Sequence, residues 1–332
     1  MNLSRLTRRA TLAAAGLALL GAGTAAQAQA DASFPSRPVT LVTPFAAGSG
    51  PDAVLRQVSD KLSKLWGQPI TIANRPGGGG FIAIESVRRV PADGYTLLQL
   101  DSEHLAALPL LYKSKNFVTL DHFDPVVSLF RTPFLVAVAT DSKVKDMKDL
   151  VAAAKAAPGK TSYGSWGIGS PGHLGGEELE LRTQAEMAHV AFREVSQLYT
   201  SVGAGDVQWA FGSIPSSAGV FKAGKIRYIA VAAPRRIPQM PDVPTVAEAG
   251  GPAGFEVNSF VSLVAPKGLP PAVAAKINAD VLKVLADPEI KARFDTFAFE
   301  ILNWSPAEIR RNADLKFKTY EQLVKRKNIS LD

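Results

Sequence analysis

From residue 39 onward the chain alternates short apolar runs with longer amphipathic ones, and turns of small residues separate them. Strand, turn, helix and strand in that order is the βαβ signature of a parallel sheet covered by helices. Val39 to Thr43 reads as a strand ending in a turn at Pro44 to Gly50. A helix follows from Pro51 to about Trp66, with Val54, Val58, Leu62 and Leu65 on one face. Ile70 to Ala73 is the next strand, Asn74-Arg75-Pro76 and four glycines make a turn, and a helix runs from about Phe81 to Arg89. Tyr95 to Leu98 is a third strand.

The order repeats after Phe134. Strands are expected at Phe134 to Ala139, Thr161 to Gly164, Ala188 to Phe192, Gln208 to Phe211 and Arg227 to Ala232. Helices are expected from about Met147 to Ala156, Pro171 to Gln184 and Pro215 to Ala223. An extended segment, Glu256 to Ala265, precedes helices from Pro270 to Leu285 and from Pro306 to about Lys325. The last opens with Ser305 as N-cap, Pro306 at the first helical position and Glu308 completing a capping box. Its inner face is Ile309, Ala313, Phe317, Tyr320 and Val324. A chain of 332 residues holds about two domains of roughly 150 residues each. The pattern predicts two α/β units, with Phe134 to Thr140 and Glu256 to Ala265 crossing between them.

Residues 1–30 read as a cleaved secretory signal. Arg5, Arg8 and Arg9 form a basic start, Leu12 to Ala26 is uncharged, and Ala28-Gln29-Ala30 supplies the small-x-small cleavage pattern. Export through the general secretory route is expected, and the Arg8-Arg9 pair also fits a twin-arginine signal loosely. The apolar stretch falls short of the ~20 strongly apolar residues that a membrane span needs. Loss of the leader removes three arginines and no acids, so the net charge falls from +7 to +4. The remaining charges are interspersed and form no basic stripe with aromatics, which argues against nucleic acid. With no cysteine, the chain carries no disulfide, thiol nucleophile or Cys-ligated metal.

Two loops stand out because each follows a strand and opens a helix: Pro44 to Asp52 and Gly164 to His173. Their small residues, Ala46, Ala47, Gly48 and Ser49 in one and Ser165, Gly167, Gly169 and Ser170 in the other, let backbone N–H groups approach a ligand. A helix N-terminus adds a positive dipole end, so such a place suits an anion. One loop is weak evidence, since entering a helix alone requires such turns. Two, one in each unit, point to a cleft that grips an anion from both sides. Gly167, Gly169 and Gly172 also fit G-x-G-x-x-G, but Pro171 interrupts the motif and it lies outside the first βα unit, so no dinucleotide cofactor is expected. The four histidines, at 104, 122, 173 and 189, are far apart in the chain. His173 and Glu177 sit one helical turn apart, yet lack a third metal ligand, and a cap or surface role is the commoner one. Asp101 and Glu103 are an acidic pair near a strand end, either loop solvation or hydrogen-bond acceptors for a ligand. Phe45 and Trp166 are either core filling or ligand-facing walls.

Phe34-Pro35-Ser36-Arg37-Pro38, Pro44-Phe45-Ala46-Ala47-Gly48, Asn74-Arg75-Pro76-Gly77 and Pro91 to Leu97 resemble the substrate-binding proteins of tripartite tricarboxylate transporters, the Bug family. So do Tyr163-Gly164-Ser165, Gly169-Ser170, His173-Leu174 and Pro241 to Val246 with Glu248-Ala249-Gly250. The motifs run in order along the whole mature chain. The resemblance implies a type II periplasmic binding-protein fold, α/β in class, with two lobes joined by two crossing strands. Residues 31–133 and 257–332 would form lobe 1, and residues 134–256 lobe 2. It further implies a monomeric, non-enzymatic protein without cofactors, which captures a small carboxylate in the periplasm for membrane permease subunits.

The same resemblance places the ligand on the loop Phe45 to Asp52 and on Ser165, Trp166, Gly167, Ile168, Gly169 and Ser170. Ser102 and Glu103 join them as candidate hydrogen-bonding groups. Three departures from the family bear on the ligand. Val190-Ala191-Phe192-Arg193-Glu194 stands where Val-Pro-Tyr-Lys-Gly is common, Gln208 stands where an acid often follows Val207, and Trp166 occupies a position that is often small. A lost acid and an added indole beside an anion site point to a flat ligand, such as a phthalate isomer or another aromatic mono- or dicarboxylate. Arg193 is a candidate partner for its carboxylate, or equally for Glu194 or another surface acid in a salt bridge. A sensor that presents the same ligand to a receptor kinase would use the same pocket. An exported hydrolase or lyase would need a nucleophile, base or metal set that the sequence does not offer.

Overall fold

The computed structural model describes residues 34–332, so the leader lies outside the described residues. In chain order the first elements are β1 (Val39–Thr43), α1 (Gly50–Trp66), β2 (Ile70–Asn74), α2 (Phe81–Arg88) and β3 (Thr96–Asp101). Short helices α3 (Ser102–Ala106), α4 (Leu108–Leu111) and α5 (Thr119–His122) lead into the long strand β4 (Phe123–Pro133). A second unit follows: β5 (Leu135–Ala139), α6 (Met147–Ala156), β6 (Thr161–Ser165), α7 (Pro171–Thr183), β7 (Met187–Ala191), α8 (Val195–Ala204), β8 (Trp209–Gly212), α9 (Ile214–Lys222) and β9 (Ile226–Val231). The chain returns through β10 (Asn258–Pro266), α10 (Pro271–Leu285), α11 (Pro288–Thr296), β11 (Glu300–Ile301) and α12 (Pro306–Lys327).

These strands form a six-stranded sheet, β11-β4-β10-β3-β1-β2, and a five-stranded sheet, β7-β6-β8-β5-β9. In the first, β1 pairs in parallel with β2 and β3, while β10 runs antiparallel to β3 and β4. In the second, β6 pairs in parallel with β7 and β8, and β5 runs antiparallel to β8 and β9. Side-chain alternation splits each strand between two cores. Leu41 and Leu97 pack with Val54, Val58 and Leu62 of α1 and Ile277 of α10, whereas Val42 and Leu98 face Ile84 and Val87 of α2 and Ile309 of α12. Both faces being buried, the strands read as nearly continuous apolar runs. The second sheet does the same, with Val136 and Val138 on one side and Leu135 and Ala137 on the other.

The expected elements recur with shifts of a few residues, and the differences are instructive. The third strand continues to Asp101, three residues past its expected end. Strand β4 is absent from the sequence reading because Asp124, Pro125, Ser128 and Arg131 break any simple period. Its partner β10 changes register between Leu263 and Val264, where Pro125 pairs with Val264; such an irregularity tolerates a residue without an N–H. Helices α8 and α11 were likewise not expected. The segments expected to cross do not bridge the sheets: β5 lies wholly in the second and β10 wholly in the first. The passages are single points, Pro133–Phe134 and Val257. Three backbone bonds clasp them: Phe134 N–H to Val257 O at 3.1 Å, Val257 N–H to Ala232 O at 3.0 Å, and Ala232 N–H to Phe134 O at 2.8 Å.

The capping box at the start of α12 forms as read, with Glu308 N–H on Ser305 Oγ and Ser305 N–H on Glu308 Oε2. That helix also touches the second unit. Lys327 in its last turn pairs with Glu177 at 3.1 Å and with Glu180, both on α7. Leu174 of α7 packs among Ala107, Leu111, Leu323 and Ile329 of the first unit. Leu331 N–H donates to Leu111 O, and the Leu331 and Leu111 side chains lie against Gly169.

Three glycines let α7 approach its sheet. A Cβ on Gly176 would lie 2.2 Å from the Tyr163 ring, on Gly175 2.7 Å from Val257, and on Gly172 2.8 Å from Trp166. The last glycine of the G-x-G-x-x-G look-alike thus makes room for an indole rather than a pyrophosphate. Gly176→Ala is therefore expected to destabilise the fold by about 1–3 kcal/mol through overpacking, although alanine is the better helix former by about 1 kcal/mol. Urea unfolding checks this; a neutral or stabilised variant would show that Tyr163 yields freely.

Candidate ligand-binding site

The carboxyl ends of β1, β3, β6 and β8 open on one cavity of about 700 Å3. That volume suits a small ligand. Phe45, Ala46 and Ser49 line it from the first lobe, and Trp166 to Ser170 from the second.

The first loop is pinned from behind. Thr43 Oγ1 donates to Gln99 Oε1 at 2.8 Å and accepts from Phe45 N–H at 3.2 Å. Gln99 Nε2 donates to Pro51 O, and Asn74 Nδ2 donates to Phe45 O. Asp52 is buried beneath the loop, accepting from Gly48 N–H at 2.8 Å and from Asn74 and Arg56. Burial alone would raise its pKa, but these donors together lower it. With the loop so held, the N–H of Ala46 donates to no described residue. Ser49 is the N-cap of α1, yet its side chain makes no capping bond. Its Oγ is sealed from solvent without any partner. A polar atom left unpaired at a helix start normally costs stability, so this hydroxyl is an unsatisfied group in the wall of the cavity.

The second loop is wired the same way. Ser165 Oγ lies 2.7 Å from His189 Nε2, 3.0 Å from Gly167 O and 3.2 Å from Gly167 N. All three are satisfied when His189 Nε2–H and Gly167 N–H donate to the hydroxyl and it donates to Gly167 O. His173 Nδ1 accepts from Gly169 N–H at 3.1 Å, so this histidine fastens the loop to its own helix. Ser170 caps α7 by accepting from His173 N–H and donates to Gly167 O. The N–H of Ile168 is left without a described partner. A third helix start, Ser213 to Ser216 at the head of α9, also reaches the cavity, its two hydroxyls 2.8 Å apart.

Charges around the cavity are mostly paired. Glu103 accepts from Ser259 at 2.5 Å, Tyr320 at 2.7 Å, Ser102 at 2.9 Å and Lys316 at 3.2 Å. Asp101 sits 2.5 Å from His104 Nδ1. Arg193 is exposed at the rim, and the ion pairs of the described residues leave it without a carboxylate. Phe45, Phe134, Trp166, Phe192, Tyr199 and Phe299 supply aromatic wall.

Of the residues singled out in the sequence, Phe45, Ala46, Ser49, Glu103, Trp166, Gly167, Ile168, Gly169, Ser170 and Arg193 border this cavity. Ala47 and Gly48 lie on the exposed outer side of their loop, while Asp52, Ser102 and Ser165 are buried supports behind the wall. Gln208 is elsewhere: its Oε1 accepts from Ser162 N–H and Oγ. It precedes β8, whose opposite end faces the cavity, so strand direction carries it away. The sequence reading missed the glycine turn Gly77 to Gly80, His104, Ser213 and Leu331 as wall residues. The only signal for His104 was its place one helical turn after Asp101.

A family model described as the tripartite tricarboxylate transporter family receptor matches residues 54–329. The chain belongs to this family. A relative from Pseudomonas sp. strain P51, the UPF0065 protein of the tcbD-tcbE intergenic region, is 37% identical over 289 residues, covering 87% of this chain and 85% of its own length. Among solved structures, R. palustris Rpa4515 with adipate superposes with a TM-score of 0.83 at 31% identity, covering 90% of this chain and 99% of that one. MatC from Rhodopseudomonas palustris with bound malate gives a TM-score of 0.79 at 28% identity, covering 88% and 100%. The receptor is a binding protein rather than an enzyme, with the two-lobed periplasmic binding-protein fold.

His189 gives the loop wiring a pH signature. Burial, and then the neighbouring His173, lower its pKa to about 4, against the pull of Glu177. The unfolded chain takes up this proton first, near the ordinary histidine value of about 6.5. Stability is thus lost as pH falls from about 6.5 towards 4. His189→Gln is expected to flatten this part of the stability-against-pH curve in urea titrations; an unchanged slope would show that His189 is not held neutral.

Proposed function

We propose that this receptor captures a small carboxylate, with a preference for a flat aromatic mono- or dicarboxylate such as a phthalate isomer. It acts in the periplasm after loss of residues 1–30 and hands the ligand to the permease of a tripartite tricarboxylate-type transporter. The observation that carries the reading is the unpartnered Ser49 hydroxyl at the start of α1, which shares one cavity with the free N–H groups of Ala46 and Ile168. Oriented donors at helix N-termini stabilise an anion without a full counter-charge. The adipate and malate bound by two relatives are consistent with that chemistry. The aromatic preference rests on Trp166, which packs on Phe134 with ring centroids 5.3 Å apart and borders the cavity. Closure would bring residues 134–256 onto residues 31–133 and 257–332 around the ligand.

Calorimetry and thermal shift against adipate, malate, benzoate and the three phthalate isomers test the reading. A ligand at about 100 times its Kd should add about 2.7 kcal/mol to stability. Silence across the panel would overturn carboxylate capture. Trp166→Ala is expected to weaken an aromatic ligand about five- to tenfold, given the usual worth of a ring contact, with adipate affected less. Equal losses for both, or binding of aliphatic acids alone, would remove the aromatic preference.

A further inference from the structure

We propose that His104, gripped by Asp101, is the cationic anchor that donates to a ligand carboxylate oxygen inside the cavity, with Asp101 as its positioning residue. The proposal rests on the carboxylate reading above and names the side chain that supplies its positive charge.

The geometry starts at the end of β3. Asp101 is both the last residue of that strand and the N-cap of α3. Its Oδ1 accepts from Glu103 N–H at 3.1 Å and from His104 N–H at 3.0 Å, and lies 2.5 Å from His104 Nδ1. One carboxylate therefore caps the helix and holds the imidazole, fixing ring orientation and the proton on Nδ1. The opposite ring edge, Cδ2–Nε2, rests on Gly80. A Cβ there would stand 2.1 Å from both atoms, and the backbone has φ +89°, so glycine is required twice over. Phe45 meets the ring in a T-shaped contact at 5.8 Å.

Nε2 has no described hydrogen-bond partner and is not among the polar atoms sealed from solvent. His104 borders the cavity and its side chain is 13% exposed, so the open donor meets the cavity's contents. The charged groups facing the ring are Asp101 and Glu103, with Lys316 of α12 acting on Asp101 and bonded to Glu103. The loops Phe45 to Pro51 and Gly77 to Gly80 bring no titratable side chain. Burial opposes a proton on His104, but the charge and hydrogen bond of Asp101, with the charge of Glu103, prevail and raise its pKa. Asp101 is lowered despite its own burial. The internal pair is neutral as a whole and tolerates burial, while its outward face offers N–H with cationic character. A carboxylate arriving there gains a charge-assisted bond, and an amine would gain nothing.

Adipate is the probe, replaced by whichever panel carboxylate binds more tightly, and its Kd is followed from about pH 5 to 9 to bracket the ordinary imidazole value. The raised pKa sets the sign: wild-type affinity is full while His104 is protonated and falls as pH rises through that pKa. His104→Gln should weaken binding at least about tenfold at low pH, as loss of a charge-assisted contact does, and should flatten the profile. Asp101→Asn should move the wild-type fall to lower pH. Should His104→Gln not fold, 15N NMR of the wild type reads the same point: an imidazolium signature at about pH 6 that persists to higher pH once adipate is added. A pH-independent Kd, a His104→Gln variant binding as tightly as wild type, or a neutral ring overturns the assignment and leaves carboxylate capture standing. No binding by the wild type to any panel member overturns both.

Discussion

Three backbone hydrogen bonds, joining Phe134, Ala232 and Val257, are the constraint from which the site follows. They fix where the chain leaves one sheet and re-enters it from the other. The carboxyl ends of β1 and β3 are thereby turned towards those of β6 and β8. Because helices in such sheets start where strands stop, the beginnings of α1, α7 and α9 converge on one volume. No long-range sequence motif encodes that convergence. It comes from strand direction and two short passages.

Inside that volume, the protein avoids naked charge. A buried ion without a partner costs several kcal/mol, and a broken buried pair costs about 3–5 kcal/mol. Glu103 is accordingly satisfied by Lys316, Tyr320, Ser102 and Ser259, and Asp101 by His104. The cavity wall otherwise offers weaker, directional groups: peptide N–H groups, the Ser49 hydroxyl and the outward edge of an imidazole. Each helix start carries roughly half a positive charge. Such a site binds an anion by summing modest terms, which suits a carrier that must also let go. The aromatic walls add area without adding charge.

Much of this was legible in the sequence, and the losses have physical causes. The loops Phe45 to Asp52 and Ser165 to Ser170 announce themselves by small residues between an apolar run and a proline-started helix. Asp52 and Ser165 were read as ligand contacts because polarity in such a loop does not say which way a side chain points. In the folded chain both face inward and hold the loop's shape. Gln208 was read from its motif position, whereas strand direction decides which end of β8 meets the cavity. Strand β4 was hidden by Pro125 and by Asp124, Ser128 and Arg131, which break the apolar period although the strand pairs with β10 and β11. His104 escapes the sequence as a wall residue because its packing depends on Gly80 in another turn, and apart from its spacing from Asp101 that proximity leaves no local trace.

The contacts between α12 and α7 carry a consequence for the transport cycle. Lys327 on Glu177 and Glu180, and the leucines at 111 and 331 on Gly169, join the lobes without using any atom of a ligand. A lobe motion that separates α12 from α7 must break these contacts, at a cost that does not depend on the ligand. Differential affinity for two lobe arrangements sets how far a ligand shifts the balance between them. The strength of this seam therefore sets a part of the lobe arrangement that is the same for a full receptor and an empty one.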